Sequence, residues 1–330
     1  YAAKPLSCRI FPLHIQHWAD GGISAELRYI CPGVHPGGRR LGDRLDEIAI
    51  LARQLGSRRM ANDAVYSKSN PAPLATVRKV HAGFRQLLRD PELPWPLRLY
   101  TAARILDFHD QKSMADAIRQ ADDSFAPELT AFVAKARPEL ERELASSIRC
   151  DALVRSEFRN ILAGYLRDDR PEDMSVARRL KRSLDHIRLH TGAAPLTVLN
   201  PRAPRISMLN CPAVGRRFEP SPEAAAMFGE FWFSKLDTME FCGTQIQQMP
   251  YNTGLRHLLL AAPAARVFAA GFAFAEDADR IEFSHMHRAV RLLDFTFGRS
   301  PFFRLGITQK WLRRLTVPAR FAALLHQCFR

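Results

Sequence analysis

Apolar residues recur three and four positions apart along most of the chain from residue 43 onward. This spacing places them on one face of a helix, so it predicts a series of amphipathic helices. The predicted helices cover residues 43–55, 74–88, 97–106, 125–145, 153–166, 174–190, 224–242, 255–275, 285–297, 308–315 and 318–329. Pro138 is expected to break the helix of residues 125–145. The pattern therefore predicts a mainly α fold with a multi-helix body and at most a few short strands.

A proline-rich stretch at residues 193–222 separates two helical parts of the chain. Two apolar runs within it, 196–199 and 205–209, are candidate short strands. We accordingly divide the chain into an irregular cysteine-bearing segment, an N-terminal helical part, a proline-rich connection and a C-terminal helical part. Their respective bounds are 1–42, 43–192, 193–222 and 223–330.

The first segment holds two cysteines in proline-flanked settings. Residues 4–12 read K-P-L-S-C-R-I-F-P around Cys8, and C-P-G begins at Cys31. This pattern resembles the second half of the cysteine signature of the YkgJ family, which includes flagellin lysine methylases of the FliB type. Members of that family carry an upstream C-x-x-C-C or similar run and a C-x-I/V-Y element. The present sequence begins at the tyrosine of that element, so we interpret it as N-terminally truncated.

The resemblance implies a protein-lysine N-methyltransferase that uses an Fe–S cluster and acts on a protein substrate. It implies that Cys8 and Cys31 are cluster ligands, and that S-adenosylmethionine is the methyl donor. Because the upstream cysteines are missing, we expect this chain to be inactive by itself. The alternative is a non-enzymatic helical protein with a structural metal, either zinc or Fe–S, or with no metal.

Ligand number limits what the two thiols can do alone. Structural zinc sites and Fe–S clusters each need about four protein ligands, and Cys8 and Cys31 supply two. His14, His17 and His35 are nearby secondary candidates for the missing positions. His14 and His17 are three residues apart and would share a face if this segment were helical. The reading in which both thiols are unliganded stays open.

Composition supports a large buried core in a reducing compartment. Hydrophobic residues make up 47% of the 330 residues, and the six cysteines are too widely spaced for a disulfide framework. We expect a cytoplasmic protein in which Cys150, Cys211, Cys242 and Cys328 are small buried residues. The stretch 257–275 is long enough to suggest a membrane span, but it contains a proline and an arginine, so we predict a buried core helix.

The formal net charge of +14 does not by itself indicate a nucleic-acid surface. Basic and acidic residues alternate along the helices, and the short basic pairs have no interleaved aromatic residues. Specific nucleic-acid binding is therefore not expected. The sequence also lacks the phosphate-loop, dinucleotide-binding, H-E-x-x-H and serine-elbow motifs.

Two further constellations favour ordinary structural roles. His285 and His287 lie at a predicted helix start and are expected to be satisfied surface or core histidines rather than ligands. The acids Glu230, Asp237 and Glu240 lie on a predicted helix whose aromatic stripe is typical of a core helix. They could orient a substrate lysine, but solvated surface is the favoured interpretation.

Overall fold

The computed structural model of the chain describes residues 13–29, 45–55, 63–69, 71–110, 118–146, 150–167, 175–208, 215–243, 246, 248–297 and 300–329. The fold is mainly helical, as the sequence predicts. Two strands form a β-hairpin near the start of the described residues. They are β1 (Leu13–His17) and β2 (Ile23–Leu27). The helices before the proline-rich stretch are α1 (Leu45–Leu55), α2 (Leu74–Arg89), α3 (Trp95–His109), α4 (Phe125–Ser146), α5 (Ala152–Tyr165) and α6 (Val176–His190). Those after it are α7 (Pro222–Asp237), α8 (Tyr251–Ala275), α9 (Phe283–Thr296), α10 (Gly306–Leu315) and α11 (Pro318–Phe329).

Side-chain caps set the starts of two helices that the sequence pattern places well. Asp151 accepts a hydrogen bond from the Val154 N–H at 2.6 Å and begins α5. Ser221 does the same for the Ala224 N–H at 3.2 Å, and Pro222 occupies the first position of α7. These caps satisfy N–H groups that have no partner within the helix, so the helix starts are defined locally.

The hairpin lies between α1 and the helical body. Its antiparallel register pairs Leu13 with Leu27 and His14 with Glu26. Leu13 and Ile15 pack with the buried residues of α1, which are Ile48, Leu51 and Ala52. Because successive side chains of a strand point to opposite faces, His14 and Glu26 lie on the other face, toward the body.

The centre of the body is α8, which is buried along almost its whole length. It contacts α3, α7, α9, α10 and α11, so both helical parts of the chain share one hydrophobic core. This helix is long and apolar enough to cross a membrane, but 89% of its most apolar window is buried inside the protein. The predicted core helix is therefore confirmed, and Arg266 within it donates to the Gly215 carbonyl oxygen at 3.1 Å.

Two local predictions are wrong. Pro138 does not break its helix, because α4 continues to Ser146 with Leu129, Val133, Leu140 and Leu144 buried along one side. The packing of that side outweighs the single backbone hydrogen bond that proline removes. The candidate strands are not formed by the described residues of these runs, 196–199 and 205–208. Residues Leu196–Val198 make a 3₁₀ turn, and the described pairing there is one bridge between Pro195 and Ser207.

The apolar stripe of α6 is exposed to solvent, although an apolar helix face is usually buried. Val176, Leu180, Leu184 and Ile187 are 81%, 62%, 52% and 58% exposed, respectively. At the start of α5, Leu153 is 45% exposed, and the adjacent Val154 is buried. Helical periodicity therefore identified these helices but did not identify which residues the body covers.

We predict that truncating two leucines with the same chemistry will have very different effects on stability. Leu162→Ala, at a fully buried position of α5, should lower the free energy of unfolding by about 2–5 kcal/mol because it leaves a cavity. Leu184→Ala on the exposed stripe of α6 should change it by less than about 0.5 kcal/mol. Urea unfolding followed by circular dichroism measures both, and equal effects would contradict the described burial.

Candidate functional site

A fully buried lysine is the centre of the charged cluster beneath the hairpin. Lys235 is 1% exposed and contacts three carboxylates that are no more exposed than it is. Its Nζ lies 2.6 Å from Glu26 Oε1 and 2.8 Å from Asp294 Oδ1, and it also donates to Glu240 Oε2. An ammonium group has three N–H bonds. Two of these N–H bonds go to Glu26 and Glu240, and Asp294 adds an ion-pair contact to the same ammonium group.

The turn after α7 brings Glu240 back to Lys235. Met239 has a φ of 53°, in the left-handed region that reverses the chain direction at a helix end. The Glu240 N–H then donates to the Lys235 carbonyl oxygen at 3.1 Å. Gly254 of α8 packs so closely on this turn that a Cβ atom there would lie 1.9 Å from the Phe241 carbonyl oxygen. A glycine is required at this contact.

Arg28 completes the cluster from the end of the hairpin. Its Nη1 lies 2.6 Å from Glu240 Oε1, and its Nη2 donates to the Asp294 carbonyl oxygen at 2.6 Å. Its Nε lies 3.3 Å from Asp294 Oδ2. The two cations and three carboxylates thus join β2, α7 and α9.

His14 adds a neutral donor at the edge of the cluster. Its Nδ1 lies 3.0 Å from Glu240 Oε1 and 3.6 Å from Glu26 Oε1. Burial lowers the pKa of His14 below its ordinary value, although Glu26 acts in the opposite direction. A carboxylate can only accept, so the contact with Glu240 places the imidazole proton on Nδ1.

Glu26 is held ionised by its neighbours. Burial by itself raises the pKa of this carboxyl, but Lys235, His14 and Arg28 together hold the pKa below its ordinary value. The Thr238 hydroxyl lies 3.3 Å from Glu26 Oε2. The charged form of Glu26 is therefore part of the folded structure.

His14, Glu26 and Glu240 form a potential metal-ligand group, since one ligand atom from each lies within 4.8 Å of the others. The two cations of the cluster argue against this role. Lys235 already lies against both carboxylates, and Arg28 lies 2.6 Å from Glu240. A divalent ion would have to displace the Lys235 ammonium and approach a guanidinium. The geometry therefore favours an ion-pair network that holds the hairpin on the body.

The residues that the sequence singles out as ligands are only partly described. Cys8, Cys31 and His35 lie outside the described residues. His14 and His17 belong to β1 rather than to a helix, so they do not share a face as a helical spacing would require. His14 lies in the charged cluster, whereas His17 lies on the opposite face of the strand.

Sequence reasoning missed most of the cluster. The expectation of solvated surface for Glu240 is wrong, because this side chain is 1% exposed. Lys235 and Asp294 did carry a signal, since each is a charge on the apolar face of a helix. Lys235 follows Phe231 by four residues, and Asp294 follows Val290 by four. A charge in that position points to a buried partner elsewhere in the chain.

Several structural expectations are confirmed. Cys150, Cys242 and Cys328 are buried thiols that form no disulfide among the described residues, and burial raises the pKa of the Cys150 thiol to about 11. Cys211 lies outside the described residues. His285 is satisfied, since its Nδ1 accepts from the Glu282 N–H at 3.0 Å and its Nε2 lies 3.0 Å from Glu276.

Comparisons of this chain with family models, with curated proteins and with solved structures give no match.

We predict that Lys235→Met will lower the free energy of unfolding by about 3–5 kcal/mol, because it leaves three buried carboxylates with one cation. Adding Glu240→Gln to Lys235→Met should recover part of that loss by removing one uncompensated charge. Denaturant unfolding measures both variants. The matched control Lys135→Met, at an exposed position of α4, should stay within about 0.5 kcal/mol of the wild type. A loss at Lys235 as small as the control's would contradict the cluster.

A second prediction concerns acid. Because folding lowers the pKa of His14 below its ordinary 6.5, the unfolded chain binds a proton more readily as the pH falls. The stability that His14 contributes is therefore full above about pH 6.5 and is lost as the pH falls toward its folded pKa. His14→Gln keeps a donor for Glu240 and removes this titration. Unfolding free energies measured from pH 7 to 5 should fall less steeply for the variant, and parallel curves would contradict the assignment.

Proposed function

We propose that this chain is a cysteine-cluster protein of the YkgJ type in which Cys8 and Cys31 ligate one metal centre. The observation that supports this proposal is the register of the hairpin, which pairs Leu13 with Leu27. Cys8 precedes Leu13 by five residues, and Cys31 follows Leu27 by four. Paired strands are about 5 Å apart and a residue spans at most about 3.5 Å. Both thiols can therefore reach a common point beyond this end of the hairpin.

The described thiols do not form a metal site, so the ligands of the proposed centre are assigned to Cys8 and Cys31. Cys150, Cys242 and Cys328 are buried, and none belongs to a group of potential ligands within the described residues. In the group of His14, Glu26 and Glu240, the two carboxylates already pair with Arg28 and Lys235. Zinc and Fe–S clusters both favour thiolates, so Cys8 and Cys31 are the ligands to test first.

The activity implied by the resemblance is N-methylation of lysines on a protein substrate, with S-adenosylmethionine as methyl donor. A bound Fe–S cluster would supply one-electron chemistry at this end of the protein. The chain's own contribution is positional. Lys235, Glu240 and Asp294 hold β2 against α7 and α9, and α1 covers the other face of the hairpin.

A non-enzymatic protein with a structural metal is the second candidate. The observation that favours it is that the buried charges nearest the hairpin are paired with one another. Such pairing is typical of a structural network, since each of the three carboxylates already forms an ion pair with a buried cation.

We predict that metal binding depends on the two N-terminal cysteines. The chain is purified without oxygen, and iron, zinc and acid-labile sulfide are measured per protein. Cys8→Ser and Cys31→Ser should each lower the bound metal severalfold, because each removes a thiolate ligand. Cys150→Ala, which removes a buried thiol, should leave the metal content unchanged. Metal that is unaffected by both N-terminal substitutions would refute the proposal.

The same preparations separate the two candidate functions. A form extended upstream through a C-x-x-C-C run should hold iron and sulfide in stoichiometric amounts, and the present chain should hold less. Mass spectrometry of a lysine-rich protein incubated with S-adenosylmethionine and the extended form then detects methylated lysines. Zinc without sulfide, together with no methylation, would favour the structural protein over the enzyme.

A further inference from the structure

A cavity of about 380 Å³ opens where three chain segments meet, at some distance in sequence from the hairpin. The three segments are residues 67–69, the start of α8, and one side of α10. Asp110, at the end of α3, also lines the cavity. Backbone hydrogen bonds fix the first two segments to each other. The Tyr251 N–H donates to the Val65 carbonyl oxygen at 2.9 Å, and the Asn252 N–H donates to that of Tyr66 at 3.0 Å.

The charge of the cavity lining is strongly one-sided. Lys68, Arg256, Lys310 and Arg313 line it, and Asp110 is the one carboxylate among the described lining residues. Asp110 is already paired: its Oδ1 accepts from Asn252 Nδ2 at 3.0 Å, its Oδ2 accepts from Arg256 Nη2 at 3.1 Å, and Arg313 Nε lies 3.4 Å from the same Oδ2. The cavity therefore presents an excess of positive charge that its own acid does not neutralise.

The innermost cation of the cavity, Arg256, is a buried side chain and not a surface one. Arg256 is 2% exposed. Thr316 Oγ1 accepts from its Nη1 at 2.6 Å, and Asp110 accepts from its Nη2. Its Nε makes no hydrogen bond within the described part of the chain. Burying a guanidinium is costly, so one that is oriented by two partners at a cavity wall indicates a site for an anion.

The rest of the lining also consists mainly of donors. Ser67, Ser69 and Thr253 contribute hydroxyl groups. The Ser67 and Ser69 hydroxyls lie 3.2 Å apart and share one hydrogen bond, and the Thr253 hydroxyl donates to Asn252 Oδ1 at 3.2 Å. Gly306 begins α10, whose N-terminus has no side-chain cap, so its first N–H groups are available to an anion. Fixed guanidinium, ammonium, hydroxyl and helix N–H groups around one cavity are the donor set that recognises a phosphate group.

We propose that this cavity binds a phosphate group, with Arg256 at its inner wall and Lys310 and Arg313 at its mouth. The phosphate is either free or carried by a small organic molecule. The volume of the cavity lies at the lower end of the range for small-molecule sites, so it has room for more than the phosphate. The site is independent of the metal centre proposed above, since it shares no residue with the hairpin or its charged cluster.

The test measures binding by calorimetry at constant ionic strength with inorganic phosphate, pyrophosphate, adenosine monophosphate and adenosine. We expect saturable binding of at least one phosphate compound and none of adenosine. Tighter binding of the monophosphate than of inorganic phosphate would identify a phosphate ester as the ligand. Tighter binding of inorganic phosphate or pyrophosphate would identify the free ion.

Variants then locate the site. The double variant Lys310→Gln, Arg313→Gln should weaken binding about tenfold or more, because it removes two charged donors. Both positions are exposed, so unchanged circular dichroism and melting temperature should accompany the loss. The control Lys135→Gln, Arg142→Gln removes the same charge from exposed positions of α4 and should bind as the wild type does. No saturable binding, or equal losses in both double variants, would overturn the proposal.

Discussion

The arrangement on which the rest of the structure depends is the contact of Lys235 with three buried carboxylates. Glu26, Glu240 and Asp294 come from β2, the turn after α7, and α9, so one ammonium group connects segments that are more than 200 residues apart in sequence. Removing these charges from water is costly, and their mutual attraction compensates only when every member is present. The cluster therefore specifies one position of the hairpin on the body.

This anchoring acts on one face of the hairpin, and a second contact acts on the other. One face of the hairpin packs on the apolar side of α1, and the other face carries His14, Glu26 and Arg28 into the charged cluster. A shift of the strand by one residue would exchange these two faces, placing leucine among the charges and glutamate in the apolar cluster. The register is thus determined from both sides, and it pairs Leu13 with Leu27 at one end of the hairpin.

Two buried charged groups in this molecule differ in one decisive respect. Around Lys235, each buried charge is paired with an opposite charge of the same cluster. Around Arg256, a single carboxylate orients the guanidinium while a basic cavity adjoins it. The first arrangement is typical of a structural network and the second of a binding site, because only the second leaves charge available to a ligand.

The sequence by itself determined the helical class and most helix positions, since three-and-four spacing and caps such as Asp151 act within a few residues. It also marked the core character of α8 and the burial of Cys150, Cys242 and Cys328. Only the tertiary structure decided that the stripe of α6 is exposed and that Glu240 is buried. Spacing describes which residues share a face, but what covers that face is set by segments distant in sequence. The charged cluster and the basic cavity are both assembled from such segments, so a local pattern could mark single members such as Lys235 and Asp294 but not the assembled sites.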